Sequence, residues 1–177
     1  MSRRIDKIEA LRRWVRFSAL LILLILPGSA ALAGGGQWLT YKGAWFSISY
    51  PASFTVRPSQ RSATRTHGYD SVFFRSPDGQ VEFYVNSPQW MGDPKEIEVN
   101  PATEILVDES REQRQNKGVR WVTIRAKDHS YYKSFVEEIT GNNTRTVLGI
   151  IYQDRNAYQR YRQDYLYFKK SLIQYSD

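Results

Sequence analysis

Ser71-Val72-Phe73-Phe74-Arg75-Ser76-Pro77-Asp78-Gly79-Gln80-Val81-Glu82-Phe83-Tyr84-Val85 reads as two strands joined by a tight turn. Aromatic and β-branched residues fill both arms, and Pro77 and Gly79 stand where a short reversal needs them. The chain is therefore built around a β-hairpin, and the neighbouring segments show what that hairpin packs against.

Downstream, Val147-Leu148-Gly149-Ile150-Ile151-Tyr152 is apolar without a break, the pattern of a central strand covered on both faces. After it comes the clearest helix. Asp154 is placed to cap it, and Tyr158, Tyr161, Tyr165, Phe168 and Leu172 recur at steps of three and four. Lys169 and Lys170 sit near its C-terminal end, where the helix dipole favours cations.

Upstream, Leu39-Thr40-Tyr41, a Lys42-Gly43 turn, and Phe46, Ile48 and Tyr50 alternating with Ser47 and Ser49 predict a second hairpin with one apolar face. Pro51 stops it, and Phe54-Thr55-Val56 resumes briefly. Residues 57–68 are polar and basic without periodicity, an exposed loop or a short helix. Asn86 to Pro101, with three prolines and a Trp90-Met91-Gly92 tip, is a long excursion from the sheet.

Thr103 to Asn116 follows a helix-start signal at Asn100-Pro101, but no apolar residue occurs after Val107, so a helix would have nothing to bury. A long exposed strand is the better reading, turning at Asn116-Lys117-Gly118 into Trp121-Val122-Thr123-Ile124. Tyr131 to Ile139 then returns, and Gly141-Asn142-Asn143 turns the chain into the central strand. Asn142-Asn143-Thr144 is also a glycosylation sequon, relevant only in a eukaryotic secretory pathway. The fold class is α+β, mainly antiparallel sheet with the C-terminal helix packed on it.

At 177 residues, one core is the limit. Met1 to Arg16 is a basic segment, Phe17 to Leu26 is apolar, Pro27-Gly28 breaks the run, and Ala31-Leu32-Ala33 offers a peptidase site. Residues 1–33 are thus expected to be a signal peptide, cut after Ala33 or Ala31. A retained anchor would usually need about 18 apolar residues without such breakers. Residues 34–37 form a flexible mature N-terminus and 38–177 a single domain, exported to a periplasmic or extracellular space, or to a lumen in a photosynthetic organism. Arg3-Arg4 and Arg12-Arg13 raise the twin-arginine route, but Asp6 and Arg16 favour the general one.

The net charge is +7, of which the leader's six basic and two acidic residues carry +4, leaving +3 on the mature part. That is too mild for nucleic-acid binding. Zero cysteine excludes disulfides, thiolate metal sites and a cysteine nucleophile. No cofactor, metal or mature membrane span is expected.

Two stretches, Trp45-Phe46-Ser47-Ile48-Ser49-Tyr50-Pro51 and Tyr161-Arg162-Gln163-Asp164-Tyr165-Leu166-Tyr167-Phe168-Lys169-Lys170-Ser171-Leu172, resemble the PsbP-like family of exported domains. That family is named for an extrinsic subunit of photosystem II and shares an α/β/α sandwich with a eukaryotic Ran-binding protein. The resemblance implies that fold and an adaptor or assembly role, and carries over no functional residue. In the middle of the chain few helices are available for the second sheet face, which would be bare or covered by a partner.

Site residues are sparse. Arg57, Arg61 and Arg65, spaced by four, would line a short helix able to grip an acidic partner or anionic headgroups, or else sit on a solvated loop. Trp90 and Met91 form an exposed apolar tip, or Trp90 folds back into the core. His67 with Asp70 has the makings of a metal or acid/base pair, but no third ligand can be named, and a solvated loop histidine is the simpler reading. Asp128-His129-Ser130 holds triad side chains, yet three adjacent turn residues cannot adopt triad geometry. The tyrosines of the last helix are core, or border a ligand groove with the sheet. The leading expectation is a non-catalytic domain recognising an unidentified protein or envelope component. Its rivals are a carrier of a small apolar or aromatic ligand held between sheet and helix, and a hydrolase using His67 or His129.

Overall fold

The computed structural model describes residues 36–141 and 143–175. The leader expected over residues 1–33, the first residues after it and Asn142 of the sequon lie outside them. In chain order the elements are β1 (Trp38–Lys42), β2 (Phe46–Pro51), β3 (Thr55–Pro58), β4 (Ser71–Arg75), β5 (Val81–Asn86), β6 (Glu104–Arg114), β7 (Lys117–Ala126), β8 (Tyr132–Thr140), β9 (Arg145–Tyr152), α1 (Arg155–Lys170) and β10 (Ile173–Gln174).

A seven-stranded sheet runs β3-β4-β5-β9-β8-β7-β6, and a three-stranded sheet runs β1-β2-β10. All the pairings are antiparallel. β4 and β5 form the opening hairpin. Its turn is closed by the Asp78 carboxylate, which accepts from the Ser76 hydroxyl at 2.6 Å and the Gln80 N–H at 3.0 Å. Gly79 takes φ +68°, the left-handed backbone that glycine adopts freely.

β9 occupies the middle of the large sheet, as its unbroken apolarity predicts, and serves both faces. Leu148, Ile150 and Tyr152 join one core with Val72, Phe74, Phe83, Phe46 and Ile48 and with Ala157, Tyr165 and Phe168 of α1. Val147 and Ile151 join the other, with Phe73, Tyr84, Val122, Ile124 and Phe135. The first face is covered by α1 together with the small sheet. α1 is capped as expected, Asp154 Oδ1 accepting from the Ala157 N–H at 2.8 Å.

Two features depart from the sequence reading, the end of the helix and the cover of the second sheet face. The helix stops at Lys170. Leu172 still packs on the core, but Ile173 and Gln174 pair with Ser47 and Phe46 of β2 as a strand that no local pattern announces. Of the two readings of residues 57–68 the loop holds, beginning after β3, to which Arg57 belongs. The second sheet face is neither bare nor left to a partner. The excursion between β5 and β6 crosses it and buries Ile97 completely, with Val99 beside it. This outer layer is irregular chain rather than helix. It is admitted by Gly149 in β9, where an added Cβ would stand 3.2 Å from the Ile97 Cδ1. The uncovered surface lies elsewhere, on the α1 side of β6, β7 and β8, where Trp121 and Ile105 are exposed.

Thr103 to Asn116 is strand, as the lack of an apolar face requires. β6 is an exposed edge of the sheet, guarded by charges and by a bulge between Leu106 and Asp108.

Candidate functional site

The excursion is pinned along its second half. Glu96 accepts hydrogen bonds from the Ser59 hydroxyl, from the Ser71 hydroxyl at 2.7 Å and from the Tyr84 hydroxyl at 3.1 Å. Glu98 bonds Arg120 at 2.9 Å, and its carbonyl accepts from Lys133 Nζ at 3.0 Å. Arg120 also reaches Glu109 and Glu137, while Arg145 bonds Glu137 and the Gly92 carbonyl. Burial works against the charge of Arg120, but Glu98 and Glu109 outweigh it and hold the guanidinium protonated. With Ile97 in the core, these contacts make a rigid stem. Its tip projects Trp90 (52 % exposed) and Met91 (43 % exposed) into solvent, so Trp90 does not plug the core.

The loop after β3 leaves the same end of the sheet. In the strand register Pro58 and Ser71 share that end with Asn86. The Ser87 N–H donates to the Asp70 carbonyl at 2.8 Å, and the Asn86 amide reaches the Gln60 Oε1 at 3.4 Å. The three arginines do not line one side of a helix. Arg57 lies over Phe73 (4.1 Å to the ring centroid) and pairs with Glu82. Arg61 lies over Tyr69, and Arg65 over Trp45 at 3.9 Å. Each guanidinium is thus carried on an aromatic ring, which helps to fix its position. The basic loop and the excursion that carries the apolar tip thus leave the sheet from the same end. Their proximity rests on long-range pairing that sequence spacing does not encode.

The histidines lie apart from any catalytic geometry. His67 is exposed, and among the described residues no ion pair joins it to Asp70, which is buried with Oδ1 unpartnered. Burial raises the Asp70 carboxyl, partly offset by hydrogen bonds from Ser62 and Ala63. In the β7–β8 turn, Asp128 accepts from both the backbone and the hydroxyl of Ser130, at 3.0 and 2.6 Å, and His129 takes φ +63°. Those side chains are committed to closing the turn. Among the described residues no group of three acidic or histidine side chains is arranged to hold a metal ion.

At the opposite end of the sheet is a cleft of about 560 Å³ between the start of α1 and the sheet, lined by Thr123, Tyr132, Tyr152, Asp154, Arg155, Tyr158 and Gln159. Tyr132 and Tyr152 stack nearly parallel, 10° apart with centroids at 5.5 Å. Tyr158 leans on Tyr152 at 5.1 Å.

The molecule is an antiparallel α+β domain with a helix on one sheet face and a pinned irregular segment on the other. No protein-family model matches the chain, and no curated protein does. Among solved structures it is similar to the solution structure of cyanobacterial PsbP from Synechocystis sp. PCC 6803, at TM-score 0.47 and 10% identity, over 84% of this chain and 99% of that one. A crystal structure from Bacteroides thetaiotaomicron VPI-5482 is similar at TM-score 0.38 and 16% identity, over 80% of this chain and 49% of that one. Both likenesses concern the fold, and neither assigns a residue a role. No helix among the described residues is long and apolar enough to cross a membrane.

Proposed function

We propose that this is a non-catalytic accessory domain, exported from the cytoplasm, that recognises a protein partner or envelope component through the end of the sheet carrying Trp90, Met91 and the Arg57, Arg61 and Arg65 loop. One observation carries the reading. Two large apolar side chains are held in solvent on an excursion anchored to the sheet by the hydrogen bonds of Glu96, the buried Ile97 and the Glu98–Arg120 ion pair. Exposing Trp and Met costs transfer free energy, and a rigid stem removes the option of folding them away. Trp, Met and Arg are the residue types over-represented at protein interfaces, and a pre-ordered tip lowers the entropy lost on docking.

The test compares wild-type protein with Trp90→Ala/Met91→Ala, both recovered from the exported fraction of the native host. A partner that co-purifies with the wild type should be lost or weakened by about 10-fold or more in the variant. The urea midpoint should hardly move, because the tip touches little. Equal recovery of the partner by both proteins would exclude the tip as the contact.

A further inference from the structure

Tyr152 is the last residue of β9 and Asp154 begins α1, so the central strand delivers the chain into the helix at the edge of the tyrosine-lined cleft. α1 covers β9 and β5 but not β8 or β7, and its first turn therefore overhangs the exposed flank of the sheet. The cleft is the space beneath that overhang. Its walls are aromatic, with the stacked Tyr132 and Tyr152 on the sheet side and Tyr158 on the helix side. The Tyr152 hydroxyl is engaged with Ser134, which in turn meets Thr123, each at 3.3 Å, so the ring positions are fixed from behind.

The polar groups around these rings are mainly unengaged donors. The side chains of Arg155 and Gln159 have no hydrogen-bond or ionic partner among the described residues. The one carboxylate in the lining, Asp154, is occupied in capping the helix. The start of α1 adds the positive end of its dipole. The volume is in the range of small-molecule sites and exceeds what a single aromatic ring fills.

The geometry points to a binding site for a small planar aromatic acid, its ring laid against Tyr132, Tyr152 and Tyr158 and its anionic group turned toward Arg155. This site is separate from the partner-binding end and does not depend on it. Three tyrosine faces select a flat ring over a branched aliphatic, and the donor-rich rim selects an anion over a cation.

The experiment is titration of the isotopically labelled protein with 4-hydroxycinnamate, following backbone amide shifts, with benzylamine and cyclohexanecarboxylate in parallel. Saturable shifts at Thr123, Tyr132, Tyr152 and the first turn of α1 are expected with 4-hydroxycinnamate, with half-saturation below about 1 mM. Cyclohexanecarboxylate should bind more weakly and benzylamine should leave these amides unmoved. Arg155→Glu, a change at an exposed position, should weaken the aromatic acid about 10-fold while preserving the spectrum of the fold. Non-saturating shifts, equal response to benzylamine, or an affinity indifferent to Arg155→Glu would each overturn the assignment.

Discussion

Lys133 and Glu104 meet at 2.8 Å with their side chains almost wholly out of solvent, and the Tyr131 hydroxyl donates to the same carboxylate at 2.5 Å. Removing one member of such a pair strands the other without its counter-charge. Lys133→Met should therefore cost about 3–5 kcal/mol in urea unfolding, and adding Glu104→Leu should return much of it. The pair also sets a pH dependence. Burial would raise the Glu104 carboxyl, but Lys133, Tyr131 and the Asn100 N–H outweigh it and hold it below its ordinary 4.5. A lowered folded-state value means that this stabilisation is present above 4.5 and is lost as pH falls through the folded value. Tyr131 acts in the opposite sense. Its hydroxyl, hydrogen-bonded to Glu104 and partly buried, is pushed up to about 12 from 10.0, so its contribution holds below pH 10 and fades as pH rises toward 12. Urea midpoints measured across both windows should show Glu104→Gln flattening the acid limb and Tyr131→Phe the alkaline one.

Among the elements, the excursion between β5 and β6 contributes most that periodicity does not predict. Ile97 is fully buried on the second sheet face while Trp90, seven residues earlier, stands in solvent. Ile97→Ala should cost about 2–5 kcal/mol, whereas Trp90→Ala should change stability by less than about 0.5 kcal/mol. Denaturant curves that showed equal losses would mean the stem is not part of the core. The strands and the capped helix were legible because their signals are local, as in Pro77 and Gly79 in a turn, the apolar run 147–152, and Asp154 before a tyrosine stripe. β10 was not, since two residues pair with β2 across a distance of well over a hundred positions. The cover of the second face left a faint trace. Ile97 and Val99 are apolar residues two apart among Lys95, Glu96 and Glu98, an alternation that marks chain lying on a sheet without belonging to it. The arginines illustrate the converse limit, because a spacing of four left a helix face and a solvated loop both open, while their actual supports, Phe73, Tyr69 and Trp45, come from separate segments.

At the scale of the whole molecule, the large sheet separates two surfaces of different character. One end carries a rigid apolar tip beside an arginine-bearing loop, and the other carries an aromatic cleft beneath the start of α1. The arrangement suits a domain that docks by one end and leaves the other free for a small ligand. Docking through the Trp90 end can be read out by site-specific photocrosslinking in the native host. A photoreactive residue replaces Trp90 in one strain and Gln163, on the exposed side of α1, in another. A discrete crosslinked product from position 90, absent from position 163 and diminished when Arg61 and Arg65 are changed to Glu, is the expected result. The same product from both positions, or none from position 90, would contradict it.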